Sequence, residues 1–236
     1  MEVVPTPPRP PLLARLWGRL RHGLLMQEIL DRMHAGGVIV MPYYVTTESS
    51  VDLPDVYVPH GYHIRELGPD DTAAIVAISV RPRTVAQTHE AFRRMRCYGV
   101  LRGDELAGHT WISFTHVPVP SAATVLFALQ PDEAYLLDMY IAPSHRGARL
   151  APWLRAHVLR SLAAENRPHC YSISLYFNRS SRRFKARLGA QERELRIYLQ
   201  LSAGNLRGVD LRLKAWGPML RTPARKAIAG ERERQP

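Results

Sequence analysis

The pattern of apolar and polar positions predicts a domain that alternates between strands and helices. Its first half combines an alternating strand, two short helical segments and two strands joined by the Gly103-Asp104 turn, which is typical of a β-hairpin. In chain order these segments are 62–67, 72–79, 84–94, 97–102 and 105–114. Three prolines within 115–133 then predict an irregular loop.

The stretch 135–151 organises the rest of the chain. Residues 135–141 are apolar and aromatic with one Asp, which predicts a buried strand. Pro143 ends that strand, and a short basic turn leads into a helix whose apolar residues recur at helical spacing over 150–160. Pro152 suits the first helical turn, where its missing N–H is not needed.

Beyond this helix, the sequence predicts another strand, a short basic helix and a final hairpin. Residues 169–177 are strongly β-prone, and the basic segment after them ends at Gly189. The last two strands, 195–201 and 209–216, flank an Ala-Gly-Asn turn.

The N-terminal part has a different character. Residues 1–10 are rich in proline, and residues 11–33 predict an amphipathic helix carrying Leu, Trp and Arg. Such a helix packs on its own domain or on a partner subunit, as in a homodimer, or it lies on an anionic membrane; packing is the commoner outcome. Pro42 limits the apolar run 38–41 to the edge or end of a sheet, and 46–60 looks like a linker.

These patterns predict three regions. Residues 1–60 form an N-terminal extension, residues 61–218 form the main domain, and residues 219–236 form a basic, mobile tail.

Composition narrows the partners without selecting one. The chain has 236 residues and carries 32 Lys and Arg against 21 Asp and Glu, a net charge of +11, which favours anionic partners. Its only cysteines, Cys97 and Cys170, make neither a disulfide framework nor a zinc motif, so we expect no metal. No apolar run reaches the ~20 residues that span a bilayer, and the N-terminus is not a convincing signal peptide, so we expect a cytoplasmic protein.

The order strand, basic turn, helix suggests an anion site. A helix N-terminus presents unpaired N–H groups and a partial positive charge, which together favour phosphate. Gly147, Ala148 and Ala151 allow close approach of the backbone, while Arg146 and Arg149 add charge. The alternative is an ordinary strand-to-helix connection of the kind found in any α/β protein.

This stretch resembles the acyl-CoA-binding signature of the GNAT N-acetyltransferase superfamily. That signature has a strand ending in Leu-x-Val-x-Pro, followed by Arg/Gln-x-x-Gly-x-Gly/Ala at a helix start. Met139, Ile141 and Pro143 match the strand end, and residues 146–151 match the loop. Arg149 departs from the pattern because the family usually has Gly there; its side chain either narrows the site or pairs with phosphate.

Two further segments extend the resemblance over about residues 61–218. The Ile-Arg-x-Leu strand with its Pro-Asp-Asp turn resembles the start of GNAT domains. The segment beginning at Asn178 resembles the family's Asn-x-x-Ser/Ala-x-x-Phe-Tyr-x-x-x-Gly-Phe pattern. Lys185 falls where the family often carries a Tyr that protonates the CoA thiolate, which puts a Tyr-type acid in doubt; Tyr176 or water could replace it.

The resemblance implies an α/β (α+β) fold with a mixed, mostly antiparallel sheet of about six to seven strands flanked by helices. It implies acetyl-CoA or another acyl-CoA as co-substrate, bound where a bulge in the central strand makes two strands splay apart. The residues that it assigns to the cofactor are Met139, Tyr140, Ile141, Arg146, Gly147, Ala148, Arg149, Leu150, Ala151 and Asn178. The reaction it implies is direct attack of an amine on the thioester.

The catalytic groups are less constrained by the sequence. Asp138 on the central strand and Glu133 just before it are the carboxylates considered as bases, and Tyr176 is the candidate acid. His109 and His116 are weaker candidates, since a lone His is more often structural. The basic residues of 179–187 are most simply a solvated helix face, or else a clamp for the CoA 3′-phosphate or an acidic carrier.

Two other functions stay open at this point. The basic excess, Arg149 and the helix 11–33 favour a longer-chain acyltransferase that takes its acyl group from acyl-CoA or acyl carrier protein at a membrane surface. The same charge could serve a non-catalytic module that binds acyl-CoA or nucleic acid. Nucleic acid is the weaker partner, because neither helix-turn-helix spacing nor an aromatic RNA-binding signature occurs.

Overall fold

The computed structural model describes residues 33, 37–51, 53–79, 84–120, 124–201 and 208–216. The predicted helix 11–33, apart from Met33, and the tail 219–236 lie outside these residues. None of the described helices is long and apolar enough to cross a bilayer.

Ten strands and four α-helices make up the described part of the chain. The strands are β1 (Val38–Glu48), β2 (His63–Leu67), β3 (Met95–Arg102), β4 (Glu105–Ser113), β5 (His116–Pro118), β6 (Val125–Ala128), β7 (Glu133–Ile141), β8 (His169–Leu175), β9 (Gln191–Leu201) and β10 (Val209–Ala215). The helices are α1 (Thr72–Ile78), α2 (Val85–Arg94), α3 (Leu150–Ala164) and α4 (Arg179–Arg187). Short 3₁₀ turns, Pro69–Asp71 and Pro143–His145, precede α1 and α3.

Eight of the strands form one sheet in the order β10-β9-β1-β8-β7-β4-β3-β2. Its neighbouring strands are antiparallel except β7 and β8, which run parallel with α3 as the crossover between them. This architecture confirms the predicted mixed, mostly antiparallel fold, with one strand more than the six to seven expected.

The additional strand is β1, which lies inside the sheet. It pairs with β8 on one side and with β9 on the other, so it is not an edge strand, and it continues to Glu48, inside the segment 46–60 predicted as a linker. Pro42 is tolerated because the β8 ladder ends beside it: Tyr43 pairs with Leu175, and the Pro42 carbonyl accepts the last bond from Tyr176 N at 2.9 Å. The sheet therefore reaches back to residue 38, well before the predicted domain start at 61.

The proline-rich segment 115–133 is also more regular than predicted. Its strands β5 and β6 form a separate two-stranded hairpin. This hairpin contributes Val117 and Phe127 to a hydrophobic cluster with Tyr43, Val45 and Tyr198 of the main sheet. Packing on the sheet explains why the segment adopts strands despite its prolines.

The sheet has hydrophobic packing on both faces. Helix α3 buries Leu154, Val158 and Leu162 in a cluster that includes Ile112 and Leu136 of the central strands. The β5–β6 hairpin covers part of the opposite face. These two layers fix β7, α3 and β8 relative to one another, and those three elements frame the candidate site.

We predict that Gly108→Ala destabilises the protein by about 1–3 kcal/mol, because a Cβ at this position in β4 would lie 2.6 Å from the Tyr140 carbonyl oxygen in β7. Urea denaturation measures the change. Gly68→Ala is the control, since a Cβ there meets nothing within 4 Å. Equal midpoints for the two variants would contradict the close approach of β4 and β7.

Candidate active site

The central feature is a split between β7 and β8. The two strands pair from Glu133 and His169 as far as Leu136 and Ser172, where their pairing ends. The split opens toward the C-terminal ends of both strands, where α3 begins. In a sheet, such a break leaves backbone groups in need of other hydrogen-bond partners.

A bulge in β7 accompanies the split. Leu137 pairs with Trp111 and Tyr140 pairs with His109, so two residues of β7 oppose Thr110 alone. One of those two, Asp138, has φ +46°, a conformation that Asp adopts more readily than most residues. The bulge confirms the distortion that the resemblance implied in this strand, and the segment 139–141 beyond it borders the split.

The turn after β7 leads directly to the N-terminus of α3. Gly147 has φ +94°, a conformation that favours glycine. No side chain of the N-cap residue, Arg149, caps the helix, and its first turn holds no acidic residue. The positive end of the α3 dipole is therefore not neutralised by a carboxylate in its own first turn, as an anion site requires.

Arg149 occupies a backbone position that explains the family's preference for glycine. Its φ is +57° and its ψ is +26°, a left-handed conformation that costs most L-residues roughly 1–2 kcal/mol. Its guanidinium lies 5.9 Å from the ring centroid of Tyr57, at the surface. Arg146 instead bends back over β7, donating to the Ile141 carbonyl at 3.3 Å. Both cations flank the turn.

His145 anchors the turn to the body of the domain. Its Nδ1 lies 3.1 Å from the Tyr62 hydroxyl, and its Nε2 lies 3.1 Å from a carboxylate oxygen of Glu105. The imidazole is buried, so these two contacts satisfy both ring nitrogens. The sequence analysis did not find this residue, because a single His between Ser144 and Arg146 produces no periodic signal.

The opposite border of the split is the end of β8 with α4. Asn178 caps α4 by accepting a hydrogen bond from Ser181 N at 3.0 Å. The Tyr176 ring is 37% exposed and stacks on Tyr44 at 5.6 Å between centroids. Arg182 lies over both tyrosine rings while pairing with Glu192 at 2.6 Å.

The prediction that the basic residues of α4 form a solvated face is wrong for Lys185. Its side chain is buried at 4% exposure, and Nζ donates to the Ile173 carbonyl at 2.9 Å. Lys185 lies one helical turn from Ser181 and from the buried Leu188, so it belongs to the inward stripe of α4. That spacing was the sequence signal that could have identified it.

Charged groups surround Lys185 inside the protein. Glu48 of β1 and Arg155 of α3 are both almost fully buried, with Arg155 Nε 3.5 Å from Glu48 Oε2. Ser172 donates a short hydrogen bond to the other oxygen of Glu48. Burial, helped by the charge of Arg155, lowers the pKa of Lys185 from its ordinary value of 10.5 to about 7, although Glu48 and Glu192 oppose the shift.

Glu133 lies apart from the other candidate catalytic residues. It starts β7 at the closed end of the β7–β8 pair, five residues or about 16 Å of strand from Asp138. Its carboxylate accepts hydrogen bonds from Gln130 N at 2.8 Å and from the Tyr171 hydroxyl at 2.9 Å. These two bonds hold its carboxylate at the start of β7.

The two weaker histidine candidates also separate. His109 is buried in β4 opposite Tyr140. His116 is exposed at the start of β5, with Nδ1 2.9 Å from the Thr115 hydroxyl. Among the described residues, no group of three or more His, Cys, Asp or Glu side chains is arranged to hold a metal ion.

The comparison with known families identifies the class of protein. A family model, "Acetyltransferase (GNAT) family", matches residues 63–190, more than half of the 236-residue chain. The chain therefore belongs to the GNAT acetyltransferase family, which confirms the resemblance drawn from its motifs. Enzymes of this family transfer an acyl group from acyl-CoA to an amine.

Solved structures support the same fold. A GNAT-family acetyltransferase described as putative, from Novosphingobium aromaticivorans, is 22% identical with a TM-score of 0.51, covering 70% of this chain and 66% of that one. A GCN5-related N-acetyltransferase from Sphaerobacter thermophilus is 14% identical with a TM-score of 0.52, covering 79% and 57%. A tandem GNAT protein from the clavulanic acid biosynthesis pathway is 17% identical with a TM-score of 0.50, covering 71% and 55%.

This chain thus spans between 55% and 66% of the length of these three structures. No curated protein matches the chain.

We predict that the unfolding free energy of the wild type rises with pH relative to that of Lys185→Met. Between about pH 7 and 10.5 the unfolded chain keeps the lysine proton that the native state has lost, so the unfolded state binds more protons and native stability increases with pH. The relative gain is about 5 kcal/mol over this window.

Urea denaturation at a series of pH values measures the effect, and Lys214→Met is the matched control at an exposed lysine of β10. Wild type and Lys214→Met should follow the same pH trend. If Lys185→Met shares that trend as well, the lysine titrates normally in the folded protein.

Proposed function

We propose that this protein is an N-acyltransferase that moves an acetyl or other acyl group from acyl-CoA to an amine. The observation that supports it most is the alignment of two features at one end of the sheet: the split after Leu136 and Ser172, and the uncapped N-terminus of α3. The split offers backbone to a pantetheine arm. The helix end and the turn 146–149 offer amides and positive charge to the CoA diphosphate.

The reaction proceeds by direct attack. The amine nitrogen forms a bond to the thioester carbonyl carbon, the C–S bond breaks, and the thiolate takes up a proton while the amine loses one. Asp138 is the proposed base, because it sits in the bulge where β7 leaves β8. In this proposal, backbone N–H groups of β7 beyond the bulge, in 139–141, polarise the thioester carbonyl.

The length of the acyl chain and its carrier are separate parts of the proposal. We favour acyl-CoA with a short acyl group, because the matched family uses that donor. The excess of Lys and Arg, 32 against 21 Asp and Glu, also suits an acidic carrier protein or an anionic membrane face. We also propose that the protein is cytoplasmic, either without membrane contact or in contact with a membrane through residues 11–33.

We expect acetyl-CoA and free CoA to raise the apparent melting temperature, since a ligand that binds only the native state stabilises it. The assay compares acetyl-CoA, longer acyl-CoAs, acyl carrier protein and pantetheine, which lacks the diphosphate. Pantetheine should give a much smaller shift. A larger shift with acyl carrier protein than with any acyl-CoA would favour the carrier-dependent alternative, and no shift with any donor would contradict acyl transfer.

Arg149→Gly tests the cation at the helix start. We expect it to weaken CoA binding about 3- to 10-fold at low salt and less at high salt, because exposed charge pairs are screened. Tighter binding by this variant would show that the side chain narrows the site.

We expect Asp138→Asn to lower kcat about 10²- to 10⁴-fold while acetyl-CoA still binds, the usual contribution of a positioned base. Asn tolerates a positive φ as well as Asp does, so the φ of +46° and the bulge should persist. The measurement is release of CoA thiol over a panel of amines. Glu133→Gln is the comparison, and loss of turnover there with normal turnover in Asp138→Asn would move the base to Glu133.

A further inference from the structure

The buried amine of Lys185 lies at the border of the split. Its Nζ donates to the carbonyl of Ile173, one residue past the last β8 residue that pairs with β7. Backbone hydrogen-bonding groups alternate between the two sides of a strand. The bonds of the residues around Ile173 therefore fix the side of β8 on which its carbonyl lies.

The carbonyl of Ile173 lies on the side of β8 that faces β7. Tyr176 N donates to Pro42 O of β1 at 2.9 Å, so residue 176 directs its backbone toward β1. Ile173, three residues earlier, directs its backbone to the other side, toward β7. Since β7 has already left the ladder, Lys185 reaches the β8 border of the split and supplies the hydrogen bond that β7 would have made there.

The charges around Lys185 do not balance one another and so favour an anion. Glu192, on β9, is paired with Arg182 through two contacts at 2.6 and 3.0 Å. Glu48 is then the carboxylate shared between Arg155 and Lys185. With Lys185 protonated, this buried group carries one positive charge in excess, which an anion formed in the split would balance.

We propose that the ammonium of Lys185 faces the thioester sulfur and protonates the CoA thiolate as it leaves. The inference rests on the proposed function. As the amine nitrogen bonds to the carbonyl carbon, the C–S bond breaks and its electron pair passes to sulfur. An N–H bond of Lys185 breaks as the S–H bond forms. The neutral lysine then regains a proton from solvent or from the base that received the proton of the attacking amine.

A lysine whose folded pKa is near 7 suits this step. At neutral pH it exists in both protonation states, so it gives up a proton and regains it with little cost in either direction. Tyr176, a residue that is 37% exposed, is the other group considered for the same role.

The first test needs no acceptor amine. Free CoA is titrated on the protein, and ultraviolet absorbance reports the thiolate. Bound CoA should lose its thiol proton at a pH about one unit or more below free CoA, because an ammonium favours the neighbouring anion. Lys185→Met should abolish this shift, Lys185→Arg should keep it, and Lys214→Met should match the wild type.

The second test separates charge from proton transfer. Lys185→Met and Lys185→Arg should both lower kcat about 10²- to 10³-fold, with the affinity for acetyl-CoA within about threefold of wild type, since neither side chain releases a proton at neutral pH. Tyr176→Phe should change kcat less than about threefold.

The outcomes distinguish the two proposals. If neither the wild type nor any variant binds acetyl-CoA, the proposed function is wrong. If acetyl-CoA binds and Lys185→Met keeps both the thiolate shift and kcat, the assignment of Lys185 is overturned. A loss confined to Tyr176→Phe would transfer the role to that tyrosine. Unfolding curves of Lys185→Met and Lys185→Arg check the fold, and if Lys185→Met fails to fold, Lys185→Arg decides through kcat.

Discussion

The parting of β7 from β8 is the constraint around which the site is built. A parallel pair that ran its full length would satisfy its own backbone and leave no space between the strands. The two-for-one bulge opposite Thr110 turns β7 away after Leu136, while the β4 ladder resumes at Tyr140. One border of the split therefore stays rigidly paired to β4, and the other stays paired to β1. The opening is held by the sheet itself rather than by a mobile loop.

Electrostatic features of the site add to the opening that the backbone creates. The N-terminus of α3 presents its dipole at the mouth of the split, and His145 holds the preceding turn against Tyr62 and Glu105. Inside the protein, Glu48, Arg155 and Lys185 bring together charges from three different elements, β1, α3 and α4. Buried ions of this kind are costly unless paired or matched by a ligand, which supports the proposed role of this region in binding acyl-CoA.

Much of this arrangement was readable from the chain. Hydrophobic periodicity predicted β7, α3 and β8. Pro143, Pro152 and the small residues Gly147 and Ala148 indicated the turn between β7 and α3, which corresponds to the phosphate-binding turn of the GNAT family. Arg149 departs from the glycine of the GNAT signature, and its φ of +57° gives the physical reason that glycine is usual there. These features are local: each depends on residues within one or two helical turns of one another, and periodicity and dihedral preferences report such relations directly.

The sequence by itself therefore determined the elements of this protein, their order and the family signature. Only the tertiary structure decided that β1 enters the sheet between β8 and β9, that Glu133 is far from the bulge, and that Lys185 turns inward to the Ile173 carbonyl. The reason is that strand pairing and burial join residues more than a hundred positions apart, as Glu48 meets Ser172. Which distant groups share one buried space is set by the packing of the whole sheet, and no local pattern along the chain records it.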